Sequence, residues 1–424
     1  MRVLFTSFAH NTHFYTLAPL AWAFRAAGHE VRVASQPSLT DTITQAGLPA
    51  VPVGVDHAVQ DFEQRQSNRN SEHPEINFAE DRPEIVTWDY ALGLQSMMTP
   101  LMYAKVNDTM VDDLVEFARQ WQPDLVVWEP FTYAGAVAAR VTGAAHARLL
   151  WGPDVQLRAR RLFLQRQAEQ PPEHRDDPLA EWLTWTLDRY GVPFDEEVIT
   201  GQWTIDSTPA STRLQLDQHV VPMRYVPYNG TSVVPDWLRE PPMRPRVCLT
   251  LGVSAREVLG GDAVSIGDLI EATADLDIEL VATLDASQRE ELGPVPDNTR
   301  IVDFVPMHVL LPTCSAIIYH GGAGTWSTAM LAGVPHIMLA EQYDTVLKAE
   351  RIEELGAGVF IRPNTLTPQG LRDALTRVLE EPSFKAAAER LRQEVLAEPS
   401  PGELVTALEQ LTAEHRTRRE VPVG

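Results

Sequence analysis

One stretch constrains the fold more than any other: Ile317-Ile318-Tyr319-His320-Gly321-Gly322-Ala323-Gly324-Thr325-Trp326-Ser327-Thr328-Ala329. A short apolar run meets three glycines in four positions, and the residues from Thr325 to Leu331 then suit a helix. Gly333-Val334-Pro335 ends that helix. A strand turning this tightly into a helix points to an α/β chain. The glycines let the backbone adopt positive φ and pass close to a ligand. The helix start offers unpaired N–H groups and the positive end of a dipole, a ready site for phosphate. His320, at the lip of the turn, can donate a hydrogen bond to the same anion, or pair with it when charged. The stretch reads as a pyrophosphate cradle built without lysine. The alternative is a tight strand-to-helix turn with no ligand.

A chain of 424 residues exceeds one ordinary core, so two domains are expected. The formal net charge of −23 argues against nucleic acid, because no basic stripe is available to hold a phosphate backbone. A small nucleotide needs only local donors and is not excluded. Cys248 and Cys314 both sit in apolar segments, which suits two buried thiols in a reducing cytosol better than a disulfide. No cysteine or histidine spacing suggests a metal site. The first residues, Met1 to Phe8, are too short and too early broken for a signal peptide, and no run of about 18 apolar residues exists. A cytoplasmic protein without a membrane segment is expected.

The first half starts with strand Val3-Leu4-Phe5, a loop through His10 and His13, an apolar helix to Ala27, and strand Glu30 to Ala34. A helix from Thr40 to Ala46 and a strand near Val51 follow, which opens a doubly wound parallel sheet. The first turn lacks any glycine, so the dinucleotide fingerprint of a nicotinamide oxidoreductase is missing. The polar stretch from Asp56 to Arg82 reads as a mobile loop. Val86 to Met102 carries three methionines and a tryptophan at helical spacing, with Pro100 marking a kink or restart. Asp124 to Glu129 is a buried strand ending in a carboxylate, where parallel sheets face their ligands. Residues from Asp154 to Arg189 read as helical and charged. Prolines cluster between Asn229 and Pro245, and Arg246 restarts a clean α/β alternation. The expected division is an acceptor domain over 1–228, a linker over 229–245, a nucleotide domain over 246–400, and a closing helix and tail over 401–424.

These motifs resemble those of GT-B glycosyltransferases. Phe304-Val305-Pro306, Leu310-Leu311-Pro312, the glycine stretch, Gly333-Val334-Pro335, Glu341-Gln342-Tyr343-Asp344 and Gly356-Ala357-Gly358 fall in the order of that family's nucleotide-sugar signature. Pro19 to Ala23, Gly28 to Ala34, Trp128 to Phe131, Glu181 to Thr186, Gly201 to Asp206 and Met223 to Val226 narrow the likeness. They resemble deoxysugar and aminosugar transferases of macrolide and anthracycline biosynthesis. That resemblance implies two tandem Rossmann-like domains with a cleft between them, and inverting transfer of a TDP-activated sugar to a polyketide hydroxyl. It implies no metal and no cofactor beyond the TDP-sugar donor. It also implies a P450-like auxiliary activator protein and allows a homodimer; the methionine-rich segment from Val86 to Met102 is then a contact surface for that protein, or else a helix that lines the acceptor pocket or packs on the sheet. A GT-B-like binding or partner protein that has lost turnover is the alternative, and the presence of both His13 and His320 speaks against it.

The resemblance places His13 as the base that takes the acceptor proton. Glu129 matches the carboxylate that holds the base, or is a structural strand-end acid. His10 is the weaker base candidate, at a point where the loop turns away. On the donor side His320, Gly321, Gly322, Ala323, Gly324 and Thr325 hold the diphosphate, and Ser327 or Thr328 adds a hydroxyl. Ser254 is a phosphate contact or a helix cap. Val305 packs on the base. Glu341 and Asp344 face a sugar amino group or are solvated helix-start acids. The run Asp344-Thr345-Val346-Leu347-Lys348 lacks the glutamine and asparagine of hexose-using relatives, which suits a sugar short of hydroxyls.

Overall fold

The computed structural model describes residues 1–57, 77, 79–251, 264–290, 292–341 and 343–416. The first domain is built on strands β1 (Arg2–Thr6), β2 (Glu30–Ser35), β3 (Ala50–Pro52), β4 (Leu125–Trp128), β5 (Ala145–Leu149), β6 (Trp203–Asp206) and β7 (Val220–Pro222). All their pairings are parallel, in the order β3-β2-β1-β4-β5-β6-β7. Parallel strands need crossovers, and helices α1 (Asn11–Ala26), α2 (Thr40–Gln45), α3 (Trp88–Met98), α4 (Val111–Trp121) and α5 (Tyr133–Thr142) supply most of them. With both faces covered, β4 and β5 are buried from end to end.

The second sheet runs β10-β9-β8-β11-β12-β13, again all parallel. Its strands are β8 (Arg246–Thr250), β9 (Glu279–Thr283), β10 (Thr299–Val302), β11 (Ala316–Tyr319), β12 (His336–Leu339) and β13 (Gly358–Ile361). In both sheets the order reverses beside the first strand: at β1 and β4, and at β8 and β11. Ligands of open α/β sheets bind outside the carboxyl ends of strands at such switch points. Register fixes both places, with Thr6 opposite Trp128 and Thr250 opposite Tyr319.

The charged stretch after Asp154 is two helices, α6 (Val155–Ala168) and α7 (Pro178–Asp188). Pro171 and Pro172 separate them, because proline cannot donate within a helix. Asp177 caps α7, accepting from Ala180 N–H at 3.1 Å, and takes the Arg160 guanidinium from α6. The methionine-rich segment turns inward. Met98 and Met102 pack against the first domain's core, and Trp88 lies 5.5 Å from Phe163 of α6. Pro100 falls in a single wide turn, Thr99–Tyr103, and the helix resumes at Ala104. Of the polar stretch expected to be a mobile loop, residues 58–76 and 78 lie outside the described residues.

In the second domain, α8 (Ile266–Glu271) precedes β9, α9 (Ala323–Ala332) follows β11, and α10 (Tyr343–Glu354) follows β12. Then come α11 (Pro368–Glu380), α12 (Pro382–Ala397) and α13 (Pro401–His415). Helix α13 crosses back to the first domain. Its Leu404, Val405 and Leu408 are buried in one cluster with Val3, Leu17 and Phe24. A Ser400 capping box starts it, with Glu403 answering the Ser400 N–H. Helix α1, which carries His13, is therefore clamped from outside by the end of the chain. Leu408→Ala should cost about 2–5 kcal/mol, the range for emptying a buried leucine site. Denaturant unfolding measures it. A loss below about 1 kcal/mol would show that α13 only rests on the surface.

Candidate active site

A cleft of about 680 Å³ lies between the carboxyl ends of the two sheets. The start of α1, with His10 and His13, lines one wall. His320 and the turn from Gly322 to Thr325 line the other.

The first wall is organised around a buried carboxylate. Glu129 directly follows β4 and has 1% of its surface exposed. It accepts from Phe131 N–H at 3.1 Å and from the Thr132 hydroxyl, and it meets His13 Nδ1 at 2.9 Å. A carboxylate can only accept, so Nδ1 of a neutral His13 carries the proton and Nε2 holds the lone pair. The loop before α1 is stitched to the same corner. Phe8 N–H donates to Thr132 Oγ1 at 2.8 Å, and Ala9 N–H donates to Gln36 Oε1 at 2.8 Å. Rings of Phe8, Trp151 and Phe131 surround the imidazole at 4.6, 5.2 and 5.6 Å.

The second wall is the glycine turn. Gly321 has φ +101°, and a Cβ there would meet Thr345 Cβ at 3.0 Å and Met338 Cε at 3.1 Å. No other glycine of the turn has positive φ. Gly322 is the N-cap of α9 at φ −55°, and a Cβ there would stand 2.9 Å from His320 Nε2. Gly321 is thus required by conformation and Gly322 by the ring packed over it. The helix starts at Ala323, two residues before the expected start, so Gly324 is already inside its first turn.

A model of the N-terminal domain of erythromycin biosynthesis protein CIII-like proteins matches residues 22–252, and the model of their C-terminal domain matches residues 267–411. The chain belongs to the EryCIII-like glycosyltransferase family. It is 64% identical over 98% of its length to the 10-deoxymethynolide desosaminyltransferase of Streptomyces venezuelae, and the match covers 98% of that protein. It is 52% identical over 99% of its length to the 3-alpha-mycarosylerythronolide B desosaminyl transferase of Saccharopolyspora erythraea, matching all of that chain. The crystal structure of glycosyltransferase VinC in complex with dTDP superposes with a TM-score of 0.88 at 43% identity, covering 98% of this chain and all of that one. The two Rossmann-like domains are those of a GT-B glycosyltransferase.

In this EryCIII-like glycosyltransferase, most residues singled out by sequence face one cleft: His13, Val305, His320, Gly322, Ala323, Gly324, Thr325 and Asp344. Glu129 and Gly321 stand behind them. Others lie elsewhere. Ser327 and Thr328 are buried on the inner side of α9, and the Thr328 hydroxyl is taken by the Gly324 carbonyl at 2.6 Å. Glu341 is exposed and outside the cleft lining, unlike Asp344. Ser254 lies outside the described residues. His10 does not turn away. It lines the cleft with its ring 5.2 Å from His13. Burial, then the nearby His13 and His57, push it down to about 3, so it is a poor proton acceptor at neutral pH.

Sequence reasoning overlooked Thr132, Gln36, Trp151 and Tyr225. Glu129 and Thr132 do stand three apart just past a strand, a spacing that lets a hydroxyl reach back to a carboxylate. Tyr225 gave no such signal. Its hydroxyl reaches the Gly324 carbonyl at 3.3 Å and Thr328 Oγ1 at 3.4 Å across the domain boundary.

The tautomer set by this hydrogen bond is directly observable. The ¹⁵N shifts of the neutral His13 ring should show a protonated Nδ1 and a bare Nε2. Glu129→Gln should erase that preference, because an amide can donate as well as accept. A protonated Nε2 in the wild-type protein would overturn the arrangement.

Proposed function

We propose that the protein moves a TDP-activated 6-deoxysugar or aminosugar onto a hydroxyl of a macrolide or anthracycline aglycone, with inversion at the anomeric carbon. One observation carries this reading. The His13–Glu129 pair and the glycine turn face each other across a single cleft, each at the switch point of its own sheet. The names of the relatives supply the substrate class, since two of those most like this chain transfer desosamine to macrolide rings.

The chemistry follows from the two walls. His13 Nε2 takes the proton of the acceptor hydroxyl as its oxygen attacks the anomeric carbon. Glu129 stabilises the imidazolium that forms, and its own hydrogen bonds keep the ring aimed. As the new C–O bond forms, the bond to the diphosphate breaks and its electron pair moves to the phosphate oxygen. The N–H groups at the start of α9 receive that charge, helped by the helix dipole. Burial, reinforced by the Lys348 ammonium, pushes His320 down to about 4. The ring is therefore neutral at neutral pH and offers the diphosphate a hydrogen-bond donor. Its Nδ1 is enclosed and finds no hydrogen-bond partner among the described residues. Val305 forms a buried stretch of wall suited to the flat face of a nucleobase.

The family resemblance adds a cytoplasmic setting, a P450-like auxiliary activator and room for a homodimer. No described helix is long and apolar enough to cross a membrane. Because Met98 and Met102 are partly buried against the first domain's core, the segment from Val86 to Met102 offers an auxiliary protein only its outer side. Activity titrated with the auxiliary protein, paired with sizing of the mixture, tests this part.

TDP-desosamine with 10-deoxymethynolide is the first substrate pair to assay. His13→Ala should cut transfer by roughly 10²–10⁴-fold, the range for a general base, and leave TDP affinity unchanged. Normal turnover in that variant would remove His13 from the reaction. His320→Ala should weaken TDP binding by about 1–3 kcal/mol in calorimetry, the worth of a hydrogen bond to a charged group. Unchanged affinity would reduce the glycine turn to a structural element.

A further inference from the structure

The charge on this cleft is oddly balanced for a site that receives a diphosphate. Three carboxylates line it, on Asp285, Asp303 and Asp344. Among the described residues that line it, Lys348 is the one lysine or arginine. The whole chain carries −23, so no broad positive field compensates. The start of α9 contributes partial charges only.

Lys348 has an unusual place. Its side chain is 1% exposed, yet it forms part of the cleft floor. Its ammonium pairs with Asp344 one turn earlier on α10, at 2.8 Å. It also lies 5.9 Å from the ring of Trp326, on the helix that the glycine turn starts. The first turn of α10 abuts that glycine turn, as the close approach of Thr345 to Gly321 shows. A lysine buried this deeply pays for its desolvation only if it keeps an anion beside it. Here that anion is Asp344.

We propose that Lys348 is the cationic partner of the donor diphosphate, and that Asp344 competes with the phosphate for its ammonium. On binding, the ammonium turns from the carboxylate to a phosphate oxygen. The neutral state of His320 fits this division, since the ring donates a hydrogen bond and the ammonium supplies the charge. This inference rests on the reading that the glycine turn holds the diphosphate.

The two members of the pair then have opposite effects on ligand affinity. Calorimetry with TDP and with thymidine, which has no phosphate, separates them. Lys348→Met keeps most of the apolar stem and should weaken TDP binding about 30-fold, with thymidine affinity within about twofold. Asp344→Asn removes the competing anion and should tighten TDP binding severalfold. A purely structural ion pair gives another pattern, in which both variants lower stability and neither changes TDP relative to thymidine. Unchanged TDP affinity in Lys348→Met, equal losses for TDP and thymidine, or weaker TDP binding in Asp344→Asn would each overturn the proposal. If Lys348→Met does not fold, Asp344→Asn decides alone. His320→Ala serves as the control. If it weakens TDP binding while Lys348→Met does not, only the role of Lys348 fails. If neither matters, the assignment of the glycine turn fails with it.

Discussion

Parallel pairing of β1 with β4, and of β8 with β11, sets the position of everything that matters in the cleft. Each pair sits where its sheet changes direction, so the following loops diverge to opposite faces and leave a crevice. In the first sheet, the chain leaving β1 turns into α1, whose first turn carries His13, and the residue after β4 is Glu129. The register that puts Thr6 opposite Trp128 brings these two side chains to 2.9 Å although 116 residues separate them. In the second sheet the glycine turn follows β11 directly. A slip of one residue in either pair would turn the side chains to the wrong face.

The buried carboxylate ties the first wall together. An isolated ionised carboxylate in such a place would be costly, and three donors from His13, Phe131 and Thr132 answer it. Thr132 joins two tasks, since its hydroxyl donates to Glu129 while its oxygen accepts from Phe8 N–H in the loop before α1. The loop that leads into α1 is thus fixed to the acid that His13 meets. Across the boundary the domains are held by backbone contacts as well as side chains. Arg224 N–H reaches the Pro399 carbonyl and Arg351 Nε the Ser211 carbonyl, both at 2.7 Å. Together with the burial of α13 on the first domain, these bonds keep the two walls facing.

Features carried by neighbouring residues were legible in the sequence. The alternation of apolar runs and helices gave two doubly wound domains, and the glycine stretch with its histidine marked one wall. Features that depend on helix phase were harder. Starting α9 at Thr325 leaves Ser327 and Thr328 near the helix tip. Starting it at Ala323 puts them in the second turn, facing inward. Features that depend on distant partners gave little local signal. Nothing near Leu408 indicates that it joins one buried cluster with Val3 and Phe24. The methionines after Val86 suit a core as well as a surface, because an unbranched thioether packs in either place. Lys348 was visible only as the absence of an asparagine, and its burial against Asp344 and Trp326 needed coordinates.

The acidity of the chain and its anionic ligand are compatible because they act over different distances. At physiological salt, fields between exposed charges fade over about 8 Å. Most of the −23 is therefore little felt at the floor of the cleft, although a long polyanion lying along the surface would meet it everywhere. A diphosphate in the cleft responds instead to groups within a few ångströms, and there screening is weak because water is largely displaced. In the proposed reading those groups are the N–H donors at the start of α9, an imidazole held neutral by burial, and the ammonium of Lys348. The same shortage of positive charge that argues against nucleic acid makes each of these few donors count.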